Sequence, residues 1–271
     1  MDMPSIEDLQ QFYQGFSFQV DASSLNKIKS PLIQEWMSSL INSKSNGSML
    51  DVGGGGGFFA KAFEDFGLGN STYIDLDAEA CKYASNEMNL DRVYCDKVEN
   101  LKKYIGNKKF DFIYCRHVIE HLINPRSLIL DCAKMLSDEG VFILQCPNGQ
   151  SKEGLLFPTY WLKFLRTVRR SNSWSKTKAF TFSLSRKYGW GIDPIRHLWA
   201  ISGNGILSIF SEHKDFEVKV KSASIADPVY SPYWQPNSKG EYIAAKFSRR
   251  ASGLLYNGMH LVVEIRRRKT K

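Results

Sequence analysis

The sequence lacks several features that would place it outside ordinary globular proteins. No apolar run reaches the roughly 18 residues of a membrane-spanning helix, and residues 1–5 lack the basic and apolar regions of a signal peptide. The five cysteines are odd in number and show no C-x-x-C spacing, so reduced, partly buried thiols are expected. There is no internal repeat and no low-complexity segment. These absences predict a cytoplasmic protein.

Length and composition favour one large domain. A chain of 271 residues with 43% hydrophobic residues can bury one large core, which suits a single α/β domain with appended helices better than two independent domains.

Five consecutive glycines, residues 53–57, follow a short apolar strand that contains Asp51. Glycine reaches positive φ without steric cost and has no Cβ, so such a turn lets backbone N–H groups approach a ligand. A dinucleotide site is one alternative, but its G-x-G-x-x-G fingerprint needs a third small residue at position 58 or 59, where phenylalanines stand. The pattern is instead acidic-x-G-x-G-x-G, with Asp51, Gly53, Gly55 and Gly57 in register.

Carboxylates follow at the ends of the next two predicted strands. Asp75 ends a β-rich run about 20 residues after the glycines, where an acidic side chain can accept hydrogen bonds from both hydroxyls of a ribose. Asp96 ends a third strand predicted over 91–96, and Glu99 is the alternative to it. A fourth strand over 110–115 and a fifth over 140–146 are separated by a helix that is predicted to run from near Pro125 to position 136.

The glycine pattern resembles motif I of the class I S-adenosylmethionine (SAM) dependent methyltransferases. Residues 110–148 resemble the FD, HV-x-EHL, P-x-x-x-L and PN series of the methyltransferases that modify small molecules and bacterial glycans. The resemblance implies SAM as cofactor and places Asp96 near the adenine amino group. The residues expected to bind the cofactor are Asp51, Gly53, Gly55, Gly57, Asp75, Asp96 and Arg116.

The expected fold is an α/β, Rossmann-like class I methyltransferase fold with a seven-stranded, mostly parallel sheet and helices on both faces. A helix over 203–213 and strands over 216–220 and 259–265 complete it. The predicted division is an N-terminal helical cap on the cofactor side (1–48, with helical spacing over 6–13 and 25–41), a SAM-binding core (49–150), a basic lid insert after the fifth strand (151–200) and the remainder of the domain (201–271).

Three histidines are candidates for the base that a hydroxyl acceptor requires, because the hydroxyl must lose its proton as it attacks the methyl group. His117 and His121, with Glu120, are predicted to share one helix face just after the fourth strand. His197 lies in a P-I-R-H-L segment that resembles one following the lid in glycan methyltransferases, and it is the first choice for the base. A metal held by the trio is an open alternative, and no metal is assigned.

The insert 151–200 contains ten cations and two anions, so its net charge of +8 equals that of the whole chain. Residues 157–170 combine an apolar and a cationic face at helical spacing. A solvated lid is the plainest interpretation. Peripheral contact with an anionic membrane surface at the inner face, or with a phosphorylated acceptor, is the alternative. Nucleic acid ranks lower, because no stack of exposed aromatics is identifiable.

The leading hypothesis is therefore methyl transfer from SAM to a hydroxyl of a small molecule or a glycan, such as a surface polysaccharide or its lipid-linked precursor. The second hypothesis is an RNA-modifying methyltransferase that uses the basic insert. The third is a non-catalytic SAM-binding adaptor.

Overall fold

The structure is a computed structural model, and it describes residues 23–41, 46–153, 197–236, 238–251 and 258–269. The helix expected over 6–13 and residues 154–196 of the predicted insert 151–200, with the amphipathic segment 157–170, lie outside the described residues.

A seven-stranded sheet with the order β3-β2-β1-β4-β5-β7-β6 forms the centre of the protein. Its first five strands are parallel, β7 runs antiparallel to β5, and β6 runs antiparallel to β7. The predicted seven-stranded, mostly parallel sheet is confirmed. The strands are β1 (Gly47–Val52), β2 (Gly69–Asp75), β3 (Val93–Cys95), β4 (Phe110–Arg116), β5 (Leu136–Pro147), β6 (Phe216–Ala223) and β7 (His260–Arg267).

Helices cover both faces of the sheet, as expected. Side chains of α1 to α4 pack in one apolar cluster with Met49 and Phe112, whereas those of α5, α6 and α7 pack in a second cluster with Leu50 and Ile113. Because both faces are covered, the parallel strands β1, β2 and β4 are buried over most of their length. The helices are α1 (Ser24–Ile28), α2 (Pro31–Leu40), α3 (Phe58–Asp65), α4 (Ala78–Asn86), α5 (Leu101–Ile105), α6 (Pro125–Lys134), α7 (Gly203–Ile209) and α8 (Lys239–Ala251).

Several predicted element boundaries are wrong. The single helix expected over 25–41 is two helices, because Pro31 lacks the N–H that a helix interior needs and instead begins α2, where the Ser30 side chain accepts from the Ile33 N–H. Helix α6 ends at Lys134 and β5 begins earlier than expected, at Leu136. Helix α7 is shorter than 203–213, and α8 was not predicted.

The order of the strands in the sheet determines where the candidate site lies. The chain moves outward from β1 to β2 and β3, then returns to the other side of β1 with β4. The carboxyl ends of β1 and β4 are therefore neighbours at the point where the direction of winding reverses, which is where open α/β sheets bind ligands. The glycine turn follows β1 and the H-V-I-E-H segment follows β4, so the fold brings these two motifs together.

The described part of the chain bears on two expectations, reduced cysteines and no membrane-spanning helix. All five cysteines lie in it and all are free thiols, four of them buried and Cys95 exposed, as predicted. Among its helices none combines the length and the apolar character that crossing a membrane would require.

Candidate active site

The glycine turn has a left-handed backbone at alternating positions. Gly53, Gly55 and Gly57 have φ values of 67°, 55° and 70°, and these are the same three glycines that the motif aligns. A Cβ on Gly53 would lie 2.3 Å from Cγ2 of Val118, whereas a Cβ on Gly55 would have no atom within 4 Å. The first glycine thus lets the segment after β4 pack against the turn, and the second leaves open space above the backbone.

That open space belongs to a cavity of about 410 Å³ at the carboxyl edge of β1 and β4. Four of the residues expected to bind the cofactor, Asp51, Gly53, Gly55 and Arg116, line it. Its other lining residues are Ser24 of α1, Gly54, Gly56, Phe58, Phe59, Tyr114 and Tyr233. We refer to it as the cofactor cavity.

Asp51 gives this cavity a buried negative site. Its side chain is only 3% exposed, and Oδ2 has no hydrogen-bond partner in the described part of the chain. The pKa of Asp51 is raised to about 7, first by burial and then by the Asp75 carboxylate, while the Ala60 backbone and Arg116 oppose the shift. A buried carboxylate oxygen without a donor fits a cationic ligand, and SAM carries a sulfonium and an ammonium group.

Asp75 holds the glycine turn in place. Its Oδ2 accepts from the Gly55 N–H at 2.8 Å and its Oδ1 from the Asp77 N–H at 2.9 Å. The Tyr73 hydroxyl donates to the Gly55 carbonyl oxygen at 2.5 Å. Burial raises the pKa of Asp75, although the two backbone N–H groups lower it. Each carboxylate oxygen can still accept a second hydrogen bond, so the predicted ribose role remains geometrically open beside the cavity.

Asp96 and Gly57 lie outside the cofactor cavity. The Asp96 side chain accepts from the Tyr104 hydroxyl at 2.6 Å and from Asn100 Nδ2 at 2.8 Å, and these hydrogen bonds lower the pKa of Asp96 to about 2. Its backbone N–H donates to the Asp75 carbonyl oxygen, so it follows Asp75 along the sheet edge. Glu99 is exposed. Gly57 caps α3 and packs near Leu90.

The segment after β4 is not the helix that the sequence predicted. His117 has a positive φ of 55°, and only Ile119–His121 form a short 3-10 helix. The reason is long-range, because the His117 N–H still donates to the Gln145 carbonyl oxygen of β5 before the chain turns. The turn nevertheless brings both histidines to Glu120, whose Oε1 lies 3.2 Å from His117 Nδ1 and 3.8 Å from His121 Nε2.

His197 joins this turn from the far side of the insert. Its neighbour Leu198 donates its N–H to the Glu120 carbonyl oxygen at 2.9 Å, and Trp199 Nε1 donates to the Leu122 carbonyl oxygen at 2.7 Å. The rings of His197 and His121 are 5.1 Å apart between centroids. The structure therefore brings all three predicted histidines to Glu120, and His121 and His197 form one cluster with it.

The potential ligand atoms of Glu120, His121 and His197 all lie within 4.8 Å of one another. Glu120 is 1% exposed, burial raises its pKa, and its Oε2 has no hydrogen-bond partner within the described residues. A carboxylate and two imidazoles are a donor set that suits a divalent transition metal. The set differs from the trio considered from the sequence, because His197 replaces His117.

His117 has another neighbour, His260, with ring centroids 5.4 Å apart. Burial, Arg116 and the other two histidines lower the pKa of His117, so it is neutral at pH 7. His260 Nε2 is hydrogen-bonded to the Ser231 hydroxyl, and burial also lowers the pKa of His260. Sequence reasoning missed His260, Ser231 and Tyr233. No local pattern marks them, because they reach the site only through the pairing of β7 with β5 and the turn after β6.

Comparison with known proteins agrees with this geometry. A family model described as "Methyltransferase domain" matches residues 27–179, more than half of the chain. The chain belongs to the SAM-dependent methyltransferases of class I. It is an enzyme of this family, and its cofactor is SAM.

Two relatives indicate which branch of the family is similar in sequence. Both are named ubiquinone biosynthesis O-methyltransferase. The one from Glaesserella parasuis is 32% identical over 139 residues, which are 46% of this chain and 58% of the relative. The one from Erwinia tasmaniensis is 29% identical over 131 residues, 46% of this chain and 53% of the relative. The chain thus matches little more than half the length of these relatives.

Solved structures extend the similarity of the fold to nearly the whole chain. The plantazolicin methyltransferase BamL, solved with a triazolic desmethylPZN analog and SAH, has a TM-score of 0.57 at 17% identity and covers 96% of this chain and 94% of its own. A SAM-dependent methyltransferase from Archaeoglobus fulgidus has a TM-score of 0.52 at 15% identity and covers 89% and 94%. At these identities the likeness concerns the fold alone.

Proposed function

We propose that this protein transfers the methyl group of SAM to a hydroxyl oxygen of a small-molecule acceptor. The observation that carries the proposal is the buried Glu120 carboxylate, with one oxygen unpartnered within the described residues, beside His121 and His197 on a turn that packs against the glycine turn. The names of the relatives support oxygen as the methylated atom.

The residues of the cofactor cavity have a positioning role in this proposal. When bound, SAM supplies an electrophilic methyl group on a sulfonium sulfur. Asp51 compensates positive charge, and the glycine backbone lets the ligand lie close to the ends of β1 and β4. Tyr114, Tyr233 and Phe59 line the cavity with aromatic rings, which would exclude water from the bound cofactor. Alignment in a site closed to water is the main requirement of an in-line displacement.

In this proposal the cluster of Glu120, His121 and His197 deprotonates the acceptor hydroxyl. An imidazole nitrogen takes the hydroxyl proton as the oxygen attacks, and the buried Glu120 carboxylate stabilises the imidazolium that forms. His117 is the weakest of the three candidate bases, because its lowered pKa makes it a poor proton acceptor. His197 and His121 therefore rank ahead of it.

A divalent metal is the alternative means to the same end. Glu120, His121 and His197 would hold it, and it would lower the pKa of an acceptor hydroxyl by its positive charge. Family membership favours an enzyme over the SAM-binding adaptor. A glycan acceptor remains a prediction, and the RNA hypothesis depends on the cations of the insert, nearly all of which lie in residues 154–196, outside the described part of the chain.

The test is transfer from methyl-labelled SAM to a panel of catechols, nucleotide-sugars and RNA, with the methylated atom identified by mass spectrometry. Glu120→Gln, His121→Ala and His197→Ala should each lower turnover by about 100-fold, the usual contribution of acid–base catalysis, with SAM affinity unchanged. The matched control is His213→Ala, because His213 lies after α7 and packs on Phe210 away from the cluster.

Metal assistance is separated from a histidine base by chelation and by titration with Mn²⁺ or Zn²⁺. Loss of activity after chelation, together with calorimetric metal binding that Glu120→Gln abolishes, indicates the metal. Full activity after chelation indicates the histidine. Wild-type turnover in all three cluster variants, or a product methylated only on nitrogen or carbon, would overturn the proposal.

A further inference from the structure

A second cavity, of about 720 Å³, lies beside the cofactor cavity. Helix α1 contributes to both, since Ser24 lines the cofactor cavity and Lys27, almost one helical turn later, lines the second. The turn after β6 does the same, with Tyr233 on the cofactor side and its neighbour Trp234 on the other. The two cavities are therefore neighbours, with α1 and this turn between them.

Helix α8 gives the second cavity a strong positive charge. Lys246, Arg249 and Arg250 line it at i, i+3 and i+4, so their side chains extend from one face of the helix. No acidic residue is among the described lining residues, and none of the three cations has a carboxylate partner in the described part of the chain. The one acidic residue of α8, Glu241, is 3% exposed and does not line the cavity.

Three neighbouring like charges repel one another and weaken a helix by a few tenths of a kcal/mol per pair. An anion held among them would convert this repulsion into attraction. Two guanidinium groups and an ammonium are the groups that proteins use for phosphate, because guanidinium N–H groups can bind two phosphate oxygens at once. The cation arrangement thus fits a phosphate group better than a single carboxylate.

The other walls of the second cavity are flat and apolar. Trp234, Tyr242, Pro232 and Pro236 line it, together with Leu32 of α2. Tyr242 and Leu32 are 60% and 51% exposed, respectively, so large apolar surfaces remain in contact with solvent next to the three cations. A ligand that fills this cavity would combine an anionic end with a ring or a hydrocarbon portion.

We propose that the second cavity binds a phosphate or diphosphate group carried by the methyl acceptor. This inference rests on the proposed function, because it assigns the place where the acceptor of that reaction is held. Ser231 lines the second cavity and its hydroxyl is hydrogen-bonded to His260, whose ring lies against His117. Ser231 and His260 are buried side chains between the second cavity and His117, so a phosphate anchored on α8 would hold the acceptor on the side of the molecule that carries the histidines.

The experiment measures binding without turnover, by calorimetry at about 0.15 M salt, where charges beyond about 8 Å are screened. The probes are inorganic pyrophosphate, UDP and farnesyl diphosphate. The variant is K246Q/R249Q/R250Q. The control is K82Q/K134Q/K214Q, which removes the same charge from three exposed lysines on other elements. We expect all three probes to bind the wild type, and the α8 variant to lose at least tenfold in affinity while the control does not.

Tighter binding of UDP than of pyrophosphate would assign the cavity to a soluble nucleotide-linked acceptor. Tighter binding of farnesyl diphosphate would assign it to a lipid-linked one. Both results support the proposal. It is overturned if no probe binds, or if the α8 variant binds as the wild type does. This experiment measures binding and no methyl transfer. A product methylated on nitrogen would therefore refute the proposed function but leave the binding of phosphate to the second cavity unaffected.

Discussion

The two halves of the active site are built in different ways. In the donor half, residues 51–96 supply the glycine turn and the carboxylate contacts that hold it, which join residues 2 to 20 positions apart. Ser24, Tyr114, Arg116 and Tyr233 complete the cavity. The acceptor half combines the turn after β4 with His197, with the turn after β6 and with the start of β7. Local sequence therefore specifies how the donor is held, whereas long-range packing specifies what lies opposite it.

Glu153 links several segments that form the acceptor half. It is fully buried, and its carboxylate accepts from the Ser224 and Ser248 hydroxyls and from the N–H groups of Ile225 and Met259. One side chain thus joins the end of β6, helix α8 and the segment before β7. Its donors come from residues 71 to 106 positions away.

The largest expected effect comes from Glu153→Gln. The glutamine amide would replace one acceptor oxygen of Glu153 with an NH₂ group, which faces hydrogen-bond donors. Buried N–H or O–H groups would therefore lose their acceptor. We expect the free energy of unfolding to fall by about 3 kcal/mol. Urea denaturation measures it. Glu217→Gln, at a residue whose side chain is 52% exposed, is the matched control and should change stability by less than about 0.5 kcal/mol. Equal stability of the two variants would show that Glu153 is not the link described above.

The same contrast explains what the sequence could predict. The glycine turn, the position of Asp75 and the seven-stranded sheet follow from patterns within a few residues. The conformation of His117 does not, because pairing with β5 imposes it. Helix α8 was missed although its apolar residues recur at helical spacing. Ile243 and Phe247 are 68% and 51% exposed, so its apolar residues do not all face the core. His260 and Tyr233 have no local signal at all.

A second prediction tests whether the donor half binds through its open backbone. Gly55 and Gly67 both have a positive φ, 55° and 69°, and a Cβ on either would meet no atom within 4 Å. Alanine should therefore cost each about 1 kcal/mol of stability through backbone strain. Only Gly55→Ala places a methyl group in the cofactor cavity, and it should weaken SAM at least about tenfold, or 1.4 kcal/mol. Calorimetry measures the affinity of the two variants for SAM. Equal affinities would show that SAM does not bind in the cofactor cavity.

The smallest expected effect concerns pH and Asp51. With a pKa of about 7 in the unliganded protein, Asp51 is mostly protonated at about pH 6 and mostly ionised at about pH 8. A cationic ligand prefers the carboxylate and lowers its pKa, so binding releases a proton below pH 7. The affinity for SAM should therefore rise several-fold, at most about tenfold, between these pH values and then level off.

Because the amino group of SAM can also titrate, the comparison is made with Asp51→Asn. This variant should bind SAM more weakly at high pH, and its affinity should depend much less on pH. The exposed Asp91→Asn should behave as the wild type does. If Asp51→Asn retains the wild-type slope, the titrating group is in the ligand, and the unpartnered Asp51 oxygen does not contact the cofactor.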